Sequence, residues 1–173
     1  RLKPAGRGAA VYGREKMTFE QNVRLLPVLT ELSASTGVTA KIDCSLVPML
    51  CYHDPPRDLL DALATFGCEA GNVLAGVRSD GQVAGCSFLP DIGIAVADLA
   101  DAWHDHPALR ALRSWTDRAP EPCRSCDYLD LCRGGCRAVA RAGTAAGDDG
   151  PVPPDPDCPR VEAYRRAARG GGW

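Results

Sequence analysis

Nine cysteines in a chain of 173 residues are the side chains with the most chemistry to offer. Seven of them fall into two groups. The first reads Cys68-x12-Gly81-x4-Cys86; the second reads Cys123-x2-Cys126-x5-Cys132-x3-Cys136, with Cys158 following after a further gap. Gaps of two and three residues let thiolates converge on one centre while the backbone between them curls round it and offers N–H groups to sulfur. Gly134-Gly135 allows close backbone approach just before Cys136. Cys-x2-Cys alone is shared by zinc ribbons, redox motifs and clusters, but a five-gap followed by a three-gap is far more specific. Two adjacent four-thiolate sites need eight ligands, and the chain has enough. An odd count excludes complete internal pairing, and three histidines are too few for a Cys/His zinc array.

The rest of the composition bounds the setting of that chemistry. With 45% hydrophobic and 24% charged residues the chain is an ordinary globular sequence, one compact domain or one domain plus a fragment of another. A net charge of -2 supplies no basic field, so neither nucleic acid nor a membrane is an expected partner. No apolar run reaches the roughly 18 residues a membrane helix needs, and Arg1-Leu2-Lys3-Pro4 lacks the apolar core of a signal peptide. The expected location is cytoplasmic, where thiols favour metal over disulfides. The missing initiator Met suggests a piece of something longer.

The elements that must position the thiols follow from local pattern. Leu2 to Gly8 reads as a strand end running into a glycine loop. Five basic residues against one acid over positions 1–16 make a positive patch, read as solvated. Thr18 with Gln21 is a capping box, opening a helix with Phe19, Val23, Leu26 and Leu29 on one face, kinked at Pro27 and ending near Gly37. Val38 to Cys44 alternates like a strand, which suggests a βα fragment of a parallel sheet. Asp54-Pro55-Pro56 starts another helix, with Leu59, Leu60 and Leu63 on one face and Gly67 as its stop. Val73–Arg78 and Val83–Phe88 form a hairpin about Ser79-Asp80-Gly81-Gln82. Asp98 to Trp115 holds two short helices split by Pro107, with Trp103, Leu109, Leu112 and Trp115 as core. Cys136–Ala142 is a short helix, Gly143–Asp157 a surface loop, Arg160–Arg169 a basic helix, and Gly170-Gly171-Gly172 a frayed tail.

The spacing of the seven cysteines resembles the SPASM domain found at the C-terminus of many radical SAM enzymes: Cys, Gly-x4-Cys, Cys-x2-Cys-x5-Cys-x3-Cys, then a last Cys. The stretches Cys132-Arg133-Gly134-Gly135-Cys136-Arg137-Ala138 and Asp155-Pro156-Asp157-Cys158-Pro159 are also similar to that family, and residues 2–8 with the helix after them resemble the end of its partial TIM-type barrel. The resemblance implies an α+β fold: a small cysteine-rich domain with a hairpin and short helices over 53–173, preceded over 1–52 by a βα fragment of a partial (β/α) barrel. It further implies two auxiliary [4Fe-4S] clusters, the first held by Cys68, Cys86 and Cys136, the second by Cys123, Cys126, Cys132 and Cys158. Cys51 is a candidate fourth ligand for the first cluster and Cys44 a weaker one. An open iron site is the alternative, and a buried small apolar side chain is the ordinary role for both thiols.

Family members mostly modify peptides or proteins, so the resemblance implies a peptide or small protein substrate, an external electron donor, and electron transfer or substrate engagement by the clusters. S-adenosylmethionine and a third cluster would belong to a Cys-x3-Cys-x2-Cys site, a spacing that occurs nowhere in this sequence. Arg124, Arg133 and Arg137 flank the thiolates and would offset their charge, with plain solvation the alternative for Arg124 and Arg133. His53, His104 and His106 are scattered, and Asp80 is a turn residue. The rival reading is a structural zinc module with two closed thiolate sites and no redox role.

Overall fold

The computed structural model describes residues 1–144 and 152–170. After a turn at Gly6–Gly8 and a short helix α1 (Tyr12–Glu15), the longest helix, α2 (Phe19–Thr36), starts where its capping pair sits. Thr18 Oγ1 accepts the Gln21 backbone N–H at 3.2 Å and the Gln21 side chain accepts the Thr18 N–H at 2.8 Å. Two helix-end donors are thus satisfied reciprocally. The helix continues through Pro27 and stops at Gly37, whose φ of 69° is the left-handed cap that glycine adopts without a Cβ penalty.

Neither Leu2–Gly8 nor Val38–Cys44 forms a strand. A strand persists only where another pairs with it. The second segment meets a loop instead, with the Ile42 N–H bonded to Leu63 O at 3.2 Å. A turn at Cys44–Leu46 then leads into α3 (Val47–Leu50), and α4 spans Arg57–Ala62. That helix ends before Gly67, with Ala64 in the left-handed region at φ 49°. Gly67 is needed elsewhere, because a Cβ there would collide with the carbonyls of Leu131 and Cys132.

The expected hairpin forms as β1 (Gly76–Val77) and β2 (Gln82–Ala84), in register Gly76 opposite Ala84. Gly81 takes φ 81°, and Asp80 accepts the Gln82 N–H at 3.1 Å, the turn role its chemistry suggests. A third antiparallel strand, β3 (Asp91–Ala95), was not expected from the sequence. It pairs through an irregular register, and Gly93 at φ 76° breaks the alternation by which a strand is recognised. Helices α5 (Leu99–Ala102) and α6 (Pro107–Arg113) follow, with Leu109 and Trp115 buried and Trp103 and Leu112 half-buried. The chain closes with α7 (Leu129–Cys132), α8 (Arg137–Ala142) and α9 (Pro159–Ala168). The fold is α+β: among the described residues, nine short or medium α-helices and one three-stranded antiparallel sheet. None of these helices is long and apolar enough to cross a membrane. Residues 145–151 of the expected surface loop and residues 171–173 of the expected tail lie outside the described residues.

Cysteines are part of the core. Cys51 and Cys132 pack with Leu26, Ile42, Leu60 and Tyr128, while Cys123 and Cys158 pack with Trp115 and Val161. Part of the basic N-terminal patch, read as solvated, is instead drawn inward by acids, while Arg7 and Arg14 stay exposed. Arg1 grips Asp155 through both ends of its guanidinium, at 2.6 and 2.8 Å, and reaches Asp157 at 2.8 Å. Tyr12 donates to Asp157 as well, and Lys16 does so at 2.7 Å. Asp155 is 0% exposed and also accepts the Cys136 N–H at 3.0 Å. A desolvated carboxylate is tolerable only when it is paired and hydrogen-bonded, and removing its charge strands the partner. Asp155→Asn is therefore expected to destabilise the protein by about 3–5 kcal/mol at neutral pH; denaturant unfolding measures this, and a loss below 1 kcal/mol contradicts it.

Candidate metal centre

Five thiols line one cavity. Cys123 and Cys126 come from turns after Pro120, Cys132 is the last residue of α7, Cys158 is the N-cap of α9, and Cys51 follows α3. Between them the wall is Pro48, Pro122, Leu129 and Val161, with Arg160 at its edge. Arg160 is held there by hydrogen bonds from its guanidinium to Cys51 O at 2.8 and 3.2 Å. The loop bearing Cys126 is anchored by the Tyr128 hydroxyl, which donates to Pro55 O at 2.7 Å. All four cysteines assigned by resemblance to the second cluster are here. Cys51, a candidate for the first cluster, lies with them instead.

The remaining thiols, Cys44, Cys68, Cys86 and Cys136, are not among those lining that cavity. Cys68 follows Gly67, Cys86 closes the hairpin and accepts the Phe88 N–H at 3.4 Å, and Cys136 caps α8. Cys44 lies within electrostatic reach of Cys68 and Cys136, and Cys86 within reach of Cys68. Lys3 bridges this region, with its ammonium 3.1 Å from Ser45 Oγ and 4.8 Å from the centre of the Phe88 ring. Cys44, the weaker candidate on spacing, is thus the spare thiol beside the first set. Spacing could not show this, because the helix between Cys51 and Cys68 gives no direction to either.

Four close approaches put the two sets side by side. Gly67 presses against the Cys132 carbonyl, and the Arg133–Glu69 ion pair at 2.8 Å ties the residue after Cys132 to the residue after Cys68. In the link between Cys132 and Cys136, Gly134 and Gly135 have φ 76° and 82°. A Cβ on Gly134 would strike the Trp115 ring, and one on Gly135 would strike Asp155. The glycines therefore serve both backbone conformation and contact.

Burial governs the electrostatics. Loss of water pushes the Cys44, Cys51 and Cys123 thiols up to about 12, with the Asp43 carboxylate the next cause for Cys44 and the neighbouring thiols the next for Cys51 and Cys123. Burial likewise moves Cys158 up to about 11 and raises Cys86, Cys132 and Cys136. Thiolates in such a place need cationic charge, as metal ligation provides. Among the described residues no three His, Cys, Asp or Glu side chains stand close enough to hold one metal ion. Four sulfurs on a single zinc would lie about 3.8 Å apart, from the 2.3 Å bond and tetrahedral angles. The donors lining the cavity are sulfurs, the set an iron–sulfur cluster takes, and among the described residues one buried guanidinium N–H, on Arg137, has no partner. His53 sits against Val23 O at 2.5 Å, away from the thiols. Replacing Gly134 with Ala is expected to cost about 2–4 kcal/mol through positive-φ strain and overpacking, while Gly13→Ala, at an open position on α1, should be nearly neutral. Urea unfolding of both variants tests this, and equal stabilities contradict it.

No protein-family model matches the chain. The chain is 33% identical over 158 residues to the PqqA peptide cyclase of Ruegeria pomeroyi, covering 86% of this chain and 42% of that protein. It is 34% identical over 171 residues to the mycofactocin maturase MftC of Mycobacterium ulcerans, covering 95% and 42% respectively. The MftC of Mycolicibacterium smegmatis is 33% identical over 165 residues, covering 91% and 38%. The chain spans roughly two-fifths of the length of each relative. With its cysteine spacing and its α+β fold, the chain is a homologue of these radical SAM/SPASM enzymes.

Proposed function

We propose that this chain is the auxiliary-cluster region of a radical SAM/SPASM peptide maturase and holds two [4Fe-4S] clusters. The observation that carries the reading is the convergence of Cys123, Cys126, Cys132 and Cys158 on one cavity, whose wall is otherwise apolar apart from Cys51 and Arg160. These four hold one cluster; Cys68, Cys86 and Cys136 hold the other, with Cys44 as its fourth ligand. Cys51 packs beside the four-cysteine site as a buried small side chain. Residues 1–52 form the end of the barrel side of such an enzyme and residues 53–173 the cluster side. When bound, the clusters supply one-electron transfer. The chain's own part is to hold their thiolates, exclude water with the Leu26–Tyr128 and Trp115–Val161 cores, and tie both sites together through the Cys132–Cys136 link.

The substrate is a peptide or small protein, because the relatives are named as a peptide cyclase and a maturase. An external donor supplies electrons. The SAM-cleaving chemistry is not carried by these residues, which contain no Cys-x3-Cys-x2-Cys.

Protein prepared anaerobically should be brown and contain about eight irons per chain; a colourless protein with stoichiometric zinc overturns the reading in favour of the zinc module. Cys44→Ser should alter the EPR signal of one cluster and leave the other, whereas Cys51→Ser should leave both. Loss of a cluster in Cys51→Ser contradicts the ligand assignment. Anaerobic chelation should unfold residues 68–158 cooperatively, because ligation supplies much of the folding free energy where regular elements are short. Helical and hairpin signals that survive iron loss unchanged contradict that coupling.

A further inference from the structure

Four arginines flank the thiols, and three are already neutralised, Arg160 among them by Asp54. Arg124 is exposed and lies 3.3 Å from Glu121, while Arg133 pairs with Glu69 at 2.8 Å. Among the described residues Arg137 has no such carboxylate. It is 3% exposed, its guanidinium stacks on Trp115 at 3.7 Å from the ring centre, and its Nη2 donates to the Arg133 carbonyl. Its Nη1 is buried without a hydrogen-bond partner among the described residues. A buried guanidinium N–H left unpaired is costly enough to require an explanation.

The position of Arg137 provides one. It is the residue after Cys136, and the carbonyl it binds belongs to the residue after Cys132. With Trp115 it lines a cavity that also contains Cys68. The Trp115 ring on which it stacks packs with Cys123 and Cys158. One cation therefore sits between the two thiol sets, and Gly134 leaves the room for it: a Cβ at that position would come within 2.8 Å of Arg137 Nη2.

We infer that Arg137 is a single cation shared by both cluster sites, donating its free Nη1 N–H to sulfur and raising both reduction potentials together. The inference rests on the cluster reading above. Reduction adds one electron to a cluster, supplied by an external low-potential donor. A nearby cation and an N–H···S bond stabilise the more negative, reduced form. Trp115 and the Arg133 carbonyl fix the guanidinium plane, and the stack keeps water from screening its charge.

The test is a mediated reductive titration of the anaerobically reconstituted protein, followed by EPR, with iron counted in each sample. In Arg137→Gln both midpoints should move to more negative values with about eight irons retained, and Arg137→Lys should recover part of the shift. Full iron with neither midpoint moved, or with only one moved, overturns the inference and leaves the cluster reading standing. Should Arg137→Gln fail to hold its clusters, the wild-type protein grown with guanidinium-15N arginine decides. Pulsed EPR should then show 15N coupling on both reduced-cluster signals, lost in Arg137→Lys, and absence of coupling on either signal overturns the inference. Wild-type protein without iron overturns the cluster reading and this inference together.

Discussion

The backbone must pass closer to its neighbours than a Cβ allows wherever the two thiol sets meet. At Gly67, Gly134 and Gly135 an added methyl group would run into the Cys132 carbonyl, the Trp115 ring and Asp155 respectively. Each of these contacts fixes a cysteine one or two residues away. Cys68 is held against the end of α7, and Cys136 is turned so that its N–H reaches Asp155. Without these approaches the thiols of residues 68–86 and 123–158 would belong to separate surfaces, because among the described residues no long helix or wide sheet spans the region.

Around that contact the structure relies on buried charge. Asp155 receives the Cys136 N–H, the Asp157 N–H at 3.0 Å and both arms of Arg1. It thereby couples the first residues of the chain to the last of the clustered cysteines. Asp157 adds Tyr12 and Lys16, and the Asn22 side chain donates to its carbonyl at 3.2 Å. Buried ion pairs are weak sources of net stability but strict specifiers of geometry when every partner is present. This network holds α1 and α2 against the segment that delivers Cys158, which is where the cavity needs a rigid wall.

Much of this was legible in the sequence, and for identifiable reasons. Thr18, Gln21 and Gly37 mark α2 because caps act locally. The Asp80-Gly81 turn marks the hairpin for the same reason. The resemblance groups Cys123, Cys126, Cys132 and Cys158, and these four line one cavity together with Cys51. What was missed depends on partners far away in sequence. Val38–Cys44 has a strand's alternation but no strand to pair with, and β3 has a partner but an irregular pattern. Arg1 and Lys3 look like a solvated patch until Asp155 and Ser45 are brought to them. Cys44 and Cys51 could not be sorted by spacing, since which thiols each meets is a matter of packing. The glycine pair before Cys136 was the one local signal that backbones crowd there, and its purpose became clear only with Trp115 and Asp155 in place.

The central claim is that thiols from both halves of the chain hold two separate four-iron groups on either side of the Cys132–Cys136 link. Anomalous diffraction from anaerobically grown crystals, collected on both sides of the iron edge, tests it most directly. The account predicts two compact iron peaks, one within the cavity of Cys123, Cys126, Cys132 and Cys158 and one against Cys68, Cys86 and Cys136. A single peak, or scattering that appears only at the zinc edge, would contradict it.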